Sequence, residues 1–356
     1  MTDPLVLSVD AMGGDHGPPV IVAGCDIAID RLPGRNIRFL IHGDEARIAP
    51  ELAKYPRLVP ISQIRHTAQV IAGDEKPAQA LRRGKGSSLW NSVDAIRQGE
   101  AHAAISGGNT GALMAISKLI LRMVGGSDRP AIVAGWPTIR GVTAVLDVGA
   151  NIDCSAEQLV EFAILGSAFY AAVYGDGSGK RPTIGILNVG SEDMKGHQEV
   201  RDAHAILRET ALDLDYRGFV EGNDIAMGAV DVIVTDGFTG NVALKTGEGM
   251  ARFFAATLRE QLSSSLMNKV GALIAQNALK ALKARLDPSS VNGGPLLGLN
   301  GTVVKSHGSA DARGVANALF VAANLAASDY AAEIARNMSR LSDARKSDQT
   351  AVASEA

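Results

Sequence analysis

The sequence predicts an α/β fold in which a mixed, mostly parallel sheet is covered by helices on both faces, with a helical pair protruding from it. Three observations lead there. Short apolar runs alternate with apolar-periodic helical segments along most of the chain. Glycine is abundant at 39 residues while aromatics are only 4%, which suits Ala, Val, Ile and Leu packing between many tight turns. Two apolar runs, 131–136 and 142–148, are joined only by Pro137-Thr138-Ile139-Arg140-Gly141, too short for a parallel crossover, so one antiparallel pair interrupts the alternation.

Taken in order, LVLSVD at 5–10 reads as a strand that opens into the glycine-rich turn Ala11-Met12-Gly13-Gly14-Asp15-His16-Gly17. Pro18-Pro19 then starts a helix to about Leu32, since the first helical turn tolerates a residue without an N–H. Residues 37–42, 58–62 and 101–106 read as strands with helical segments between them. The last of these strands runs into Ser106-Gly107-Gly108-Asn109-Thr110-Gly111, and 112–123 reads as a helix. Glycines at a strand-to-helix junction, with unpaired amides and an aligned peptide dipole, can cradle an anion; the same residues also make a plain tight turn. Further strands are expected at 183–189, 230–235 and 301–305, and the first two end in the polar loops NVGSEDMKGH and DGFTGN. Sites in open α/β sheets collect at the carboxyl ends of strands, which is where these clusters fall. One catalytic domain is expected over 1–341, with 342–356 a flexible tail for want of apolar spacing.

At 356 residues, 46% apolar and 21% charged, the chain can bury a large core. A formal net charge of −3 argues against nucleic acid as a partner. Cys25 and Cys154 are too few for a disulfide framework, the start carries no secretory pattern, and the apolar stretches 162–175 and 314–328 are too short to span a bilayer, so a cytoplasmic protein is expected.

Between 262 and 286 apolar residues recur every fourth position, through Leu266, Val270, Ile274 and Leu282, with Leu273 nearby and Lys269 and Lys280 among the charges. A basic amphipathic helical pair bent near Gly271 is expected, within a projection covering about 250–287. Its apolar face packs on the body or a second subunit, or meets a membrane or a carrier protein.

Other signals fail. Gly84 to Leu89 lacks the third small residue of a dinucleotide loop, and Gly175 to Arg181 is a residue short of a P-loop and precedes a strand. No G-x-S-x-G elbow occurs, and histidine spacing fits no metal site, so neither a covalent serine mechanism nor a metal or cofactor is expected.

Five motifs then combine: Val9-Asp10-Ala11-Met12-Gly13-Gly14-Asp15, Ser106 to Met114, Asp147-Val148-Gly149-Ala150-Asn151, Asn188-Val189-Gly190 with Lys195-Gly196, and Asp236-Gly237-Phe238-Thr239-Gly240-Asn241-Val242. In this order they resemble the acyl-acyl carrier protein:phosphate acyltransferases of bacterial phospholipid synthesis. The stretch DEKPAQALRRGKGSS at 74–88 and Val304-Lys305-Ser306-His307-Gly308-Ser309-Ala310-Asp311 support the resemblance, which runs from residue 5 to about 325. Gly107 stands where that family often carries alanine, and 262–286 is the least family-like stretch. The resemblance implies an open three-layer α/β/α fold similar to isopropylmalate dehydrogenases and phosphotransacetylases, and a homodimer. It also implies that inorganic phosphate attacks the thioester of a fatty acyl carrier protein, giving acyl phosphate for phosphatidic acid synthesis. A downstream glycerol-3-phosphate acyltransferase and peripheral contact with the inner face of the membrane follow from the same resemblance. The alternatives are a short-chain phosphotransacetylase or another enzyme of similar fold, and a non-catalytic membrane-associated scaffold.

Since phosphate is the nucleophile, the protein must hold a dianion against a carbonyl and stabilise the oxyanion. Ser106, Gly107, Gly108, Asn109, Thr110 and Gly111 are expected to bind phosphate, with Gly13 and Gly14 closing the other side and Asp10 at the same strand end. Lys195 is expected to neutralise phosphate or the oxyanion from across the sheet. Asp236 either orients it or caps a helix, and Asn241 donates to a carbonyl or phosphate oxygen. His307 either protonates the leaving thiolate or is structural. Leu266, Lys269, Val270, Leu273 and Lys280 are the expected membrane or carrier-protein surface.

Overall fold

The computed structural model describes residues 3–124, 127, 129–285 and 291–355. Its first strand, β1 (Leu5–Asp10), buries Leu7, Ser8, Val9 and Asp10 alike, as a central strand covered on both faces must. Around it the described residues form an eleven-stranded sheet. The other strands are β2 (Ile37–Gly43), β3 (Ser62–His66), β4 (Ala103–Ser106), β5 (Ala131–Thr138), β6 (Gly141–Leu146), β7 (Thr183–Leu187), β8 (Asp215–Val220), β9 (Val232–Val234), β10 (Gly294–Leu297) and β11 (Thr302–Lys305). Their order across the sheet is β3-β2-β1-β4-β11-β10-β5-β6-β9-β7-β8.

Strand sense decides where the loops go. β3, β2, β1, β4 and β11 are mutually parallel. The antiparallel pairings β11–β10, β10–β5 and β5–β6 then turn the sheet over. As a result β6, β9, β7 and β8, parallel to one another, run opposite to β1 and β4. The carboxyl ends of β1, β4 and β11 therefore lie at one edge of the sheet, and those of β6, β7 and β9 at the other.

Helices α1 (Pro18–Arg31), α2 (Glu45–Leu52), α3 (Pro77–Arg83), α4 (Ser88–Arg97), α5 (Thr110–Leu121), α6 (Ala156–Tyr174), α7 (Gln198–Glu209) and α8 (Gly222–Met227) alternate with the strands, and α9 (Gly237–Ser263), α10 (Leu266–Ile274), α11 (Gln276–Arg285), α12 (Ala312–Ala326) and α13 (Tyr330–Glu355) follow. Side chains alternate between two cores with the period of two that a strand imposes. Ile105, Leu146, Val234 and Val304 join α1, α6 and α12 in one core; Ala104, Val145, Ile233 and Val303 join α4 and α5 in the other. The three-layer α/β/α arrangement is thereby established.

The expected strand at 58–62 is displaced: Val59–Ile61 is a single 3-10 turn containing Pro60, and β3 starts at Ser62. Helix α6 starts at Ala156, earlier than the apolar stretch suggested, which makes it 19 residues long and apolar enough by composition to cross a membrane. It is nevertheless a core helix, with 67% of its most apolar window buried inside the fold.

The projection also differs from expectation. Helix α9 continues unbroken to Ser263, and the breaks fall at 264–265 and at Ala275, while Gly271 lies inside α10. Serine chemistry sets the first break: the Asn268 amide donates to Ser265 Oγ at 3.1 Å and its side chain donates to the Gln261 carbonyl at 2.9 Å. Leu286 lies outside the described residues. Helix α13, anchored by buried Ile334, Met338 and Leu341, runs on to Glu355 through the stretch expected as a tail.

Candidate active site

At the first edge three loops close on one another. Asp10 ends β1 buried, and Ser106, ending the neighbouring β4, donates its hydroxyl to Asp10 Oδ2 at 2.6 Å. The Gly108 amide donates to the same hydroxyl at 3.0 Å, and the Met12 amide to Asp10 Oδ1 at 3.2 Å. Burial pushes the Asp10 pKa up, and the Ser106 hydrogen bond only partly offsets this. The glycines are required by proximity. A Cβ on Gly13 would lie 2.6 Å from both Asp10 Oδ2 and the Gly108 nitrogen; Gly14, at φ +88°, approaches the Gly308 carbonyl, which accepts from the Asp15 amide at 2.8 Å. A cavity of about 10 Å³ remains, lined by Gly13, Gly14, His16, Gly107, His307 and Gly308.

The loop after β4 divides its labour. Asn109 is the N-cap of α5, accepting from the Ala112 amide at 2.9 Å while donating to the Gly73 and Glu75 carbonyls. Its side chain and that of Ser106 are committed to holding the loop. Thr110, exposed, and Gly111, half-buried, open the helix with the free amides of its first turn.

β11 brings two further groups. Lys305 is mostly buried and donates to the Gly107 carbonyl at 3.3 Å and to the Ser306 carbonyl. Burial brings its pKa down to about 8, against the opposing pull of Asp10 and Asp15. His307 is exposed and keeps its backbone fixed through an amide bond to Asn292 Oδ1 at 2.9 Å. Its Nδ1 meets the Ser309 hydroxyl at 2.9 Å, and loss of hydration together with Lys245 and Lys305 lowers its pKa.

The second edge carries the remaining motifs. Buried Asp147 accepts from the amides of Ile132, Ala150 and Asn151 and from Asn151 Nδ2, at 2.6 to 3.1 Å, which folds 147–151 into a tight loop. Asp236 is the N-cap of α9 and spends one carboxylate oxygen on the Thr239 amide at 2.8 Å and the other on its hydroxyl at 2.7 Å. Asn241, exposed, packs beside Gly149. Lys195 is exposed in a loop that Asn188 fastens by donating to the Lys195 carbonyl at 3.2 Å.

Within one chain, therefore, Lys195, Asp236 and Asn241 do not meet the loop at 106–111. A strand of five or six residues lies between, on the order of 17–20 Å. The strand reversal at β5–β6 is the cause. Helix α9 spans the gap: it starts at Asp236 on the second edge, and by Lys245 and Glu248 it acts electrostatically on His307 at the first. The group that sequence reasoning passed over is Lys305. Its signal was a lysine closing the apolar strand Thr302-Val303-Val304, where a charge has no reason to sit unless the strand end needs one.

Residues 5–333 match the family model described as fatty acid synthesis protein. A phosphate acyltransferase of Caulobacter vibrioides is 65% identical over 96% of this chain and 93% of its own length. The chain belongs to this phosphate acyltransferase family. A second phosphate acyltransferase, from Phenylobacterium zucineum, is 57% identical over 96% of this chain and 95% of its own. As a phosphate acyltransferase the chain is an enzyme that transfers an acyl group. Its fold is shared with a phosphotransacetylase of Streptococcus pyogenes, at 16% identity and a TM-score of 0.61 over 92% and 95% of the two chains. A branched-chain phosphotransacylase of Enterococcus faecalis has the same fold at 13% identity, with a TM-score of 0.56 over 91% and 99%.

Proposed function

We propose that the chain moves a fatty acyl group from the thioester of acyl carrier protein to inorganic phosphate, releasing acyl phosphate and the free carrier thiol for phospholipid synthesis. A phosphate oxygen bonds to the carbonyl carbon, the C–S bond breaks, and the thiolate takes up a proton. The observation that carries this is the first edge itself, where glycine loops, the start of α5 and the Lys305 amine converge while the Ser106 hydroxyl and the Asn109 side chain are already committed to hydrogen bonds. Both thiols support the same reading: burial pushes Cys25 and Cys154 up to about 12, far from a reactive thiolate. Fixed donors and charge then supply the catalysis.

A homodimer accounts for the separated motifs. If the second edge of one copy faces the first edge of the other, Lys195 and Asn241 reach the phosphate bound there, and Asp236 contributes by holding the start of α9. His307, exposed at this edge with only Nδ1 engaged by Ser309, gives the leaving thiolate its proton in this reading. The acyl chain has a seat within reach: a groove of about 770 Å³ begins at Glu248, beside His307, and runs between α9 and the helices after it past Phe254, Leu258, Leu262, Ala272 and Leu279.

The outer face of that projection exposes Leu266 at 83%, Leu273 at 70% and Val270 at 54%, with Lys269 and Lys280 on the same helices. Such a face suits an anionic partner surface, here the inner leaflet or acyl carrier protein, with a glycerol-3-phosphate acyltransferase receiving the product. Leu266→Glu with Leu273→Glu is expected to abolish sedimentation with anionic vesicles while sparing turnover of a soluble acyl thioester. Lost dimerisation would show instead that the face joins two copies.

The deciding assay mixes the protein with long-chain acyl carrier protein and phosphate and traps acyl phosphate with hydroxylamine. Phosphate-dependent hydroxamate is expected, increasing with chain length. Turnover confined to acetyl-coenzyme A would replace this reading by a short-chain phosphotransacetylase, and absence of any product would leave a scaffold.

A further inference from the structure

Buried charges in proteins are paired, because an isolated ammonium loses its hydration without return. Lys305 is the exception at this site. Its Nζ lies mostly buried, with two N–H groups on the Gly107 and Ser306 carbonyls, and among the described residues it makes no ion pair. The charged groups around it are accounted for element by element. On β1, Asp10 is occupied by Ser106 and the Met12 amide. In the loop after it, Asp15 acts on Lys305 from a distance, and His307 follows on its own loop. From α9, Lys245 and Glu248 face His307 and are tied to each other at 3.0 Å.

We infer that Lys305 is the phosphate-anchoring cation of the glycine edge, its third N–H directed to an oxygen of inorganic phosphate bound over the point where Gly14, Gly107 and Gly308 meet, beside the Gly107 carbonyl that Nζ already holds. This rests on the proposed acyl transfer to phosphate and supplies a charge the 106–111 loop lacks. A nucleotide-binding loop carries its lysine within the loop; here the lysine arrives on the neighbouring parallel strand, fixed in register by the Lys305–Ser106 pairing of β11 with β4.

A further consequence is a proton linkage. With a free-state value of about 8, Lys305 is largely neutral at about pH 8.5, and a bound dianion raises that value, so binding takes up a proton. Phosphate affinity falls as pH rises through about 8.

The test is isothermal titration of the full-length protein with inorganic phosphate at about pH 8.5 in buffers of different ionisation enthalpy. Wild type is expected to take up a fraction of a proton per phosphate. Lys305→Met is expected to bind at least about tenfold more weakly with that uptake abolished, and Lys305→Arg to bind without it, since guanidinium stays charged. Affinity within twofold of wild type in Lys305→Met, or unchanged uptake, overturns the inference. Should Lys305→Met fail to fold, the lysine resonances of the wild type decide: one that titrates near pH 8 must move upward when phosphate is added, and an unmoved value is equally fatal. Phosphate bound through Lys305 by a protein that makes no acyl phosphate would refute the functional reading and leave this inference intact.

Discussion

Lys195→Ala is expected to lower the turnover of acyl carrier protein by about a hundredfold to a thousandfold, the usual cost of removing one preorganised oxyanion partner. Folding should be unaffected, because the side chain is exposed and its loop is held by backbone contacts to Asn188. His307→Ala removes a proton donor on the other edge and should cost about a hundredfold. The decisive measurement uses both. If each site joins the first edge of one copy to the second edge of another, an unfolded-and-refolded equal mixture of the two variants must regain activity. Random pairing makes half of the dimers mixed, each with one intact site of two, so recovery to about a quarter of wild type is expected. A mixture no more active than its components would place every group of a site within one chain, and Lys195 would then have no role at the phosphate edge.

The strands that could be located from sequence were those buried on both faces. β1 and β2 are mostly apolar and mostly buried, and fall where the composition puts them. β8, which reads DYRGFV and is half-exposed at the end of the sheet, has no such signal, and four-residue β10 is too short to show a period. The loops with chemistry were legible because glycine at a strand end is a local signature. Their grouping was not, because strand sense is global: the short β5–β6 connection was visible as an antiparallel pair, yet that pair and the insertion of β10 together decide which edge every later loop occupies. Asp10, Ser106 and Asn109 looked like donors or ligands from residue type alone. Packing shows them spending their polar atoms on one another and on neighbouring backbone. Lys305 stands within the 304–311 motif yet carries no expected role there, for the converse reason: only its surroundings in the fold show the lysine to be largely buried.

Asp147→Ala is expected to lower stability by about 3–5 kcal/mol, the largest single effect away from the core, because four donors lose their acceptor inside the protein. Asp147→Asn should be nearly as damaging: an amide has one acceptor oxygen and would turn N–H groups towards amides that themselves donate. Denaturant unfolding followed by circular dichroism measures both. The pH dependence separates this carboxylate from an ordinary salt-bridged one. Burial raises its folded-state pKa above the unfolded value, so the folded chain binds the proton more tightly. The contribution of Asp147 to stability is therefore fully present below the unfolded-state value of about 3.9 and is lost as pH rises through the folded pKa, the reverse of a carboxylate whose pKa is depressed. Asp147→Asn cannot titrate, so the wild-type minus variant stability should shrink as pH is raised from below that pKa towards neutrality. A difference that grows over the same interval would mean that the backbone donors outweigh burial and hold the carboxylate ionised.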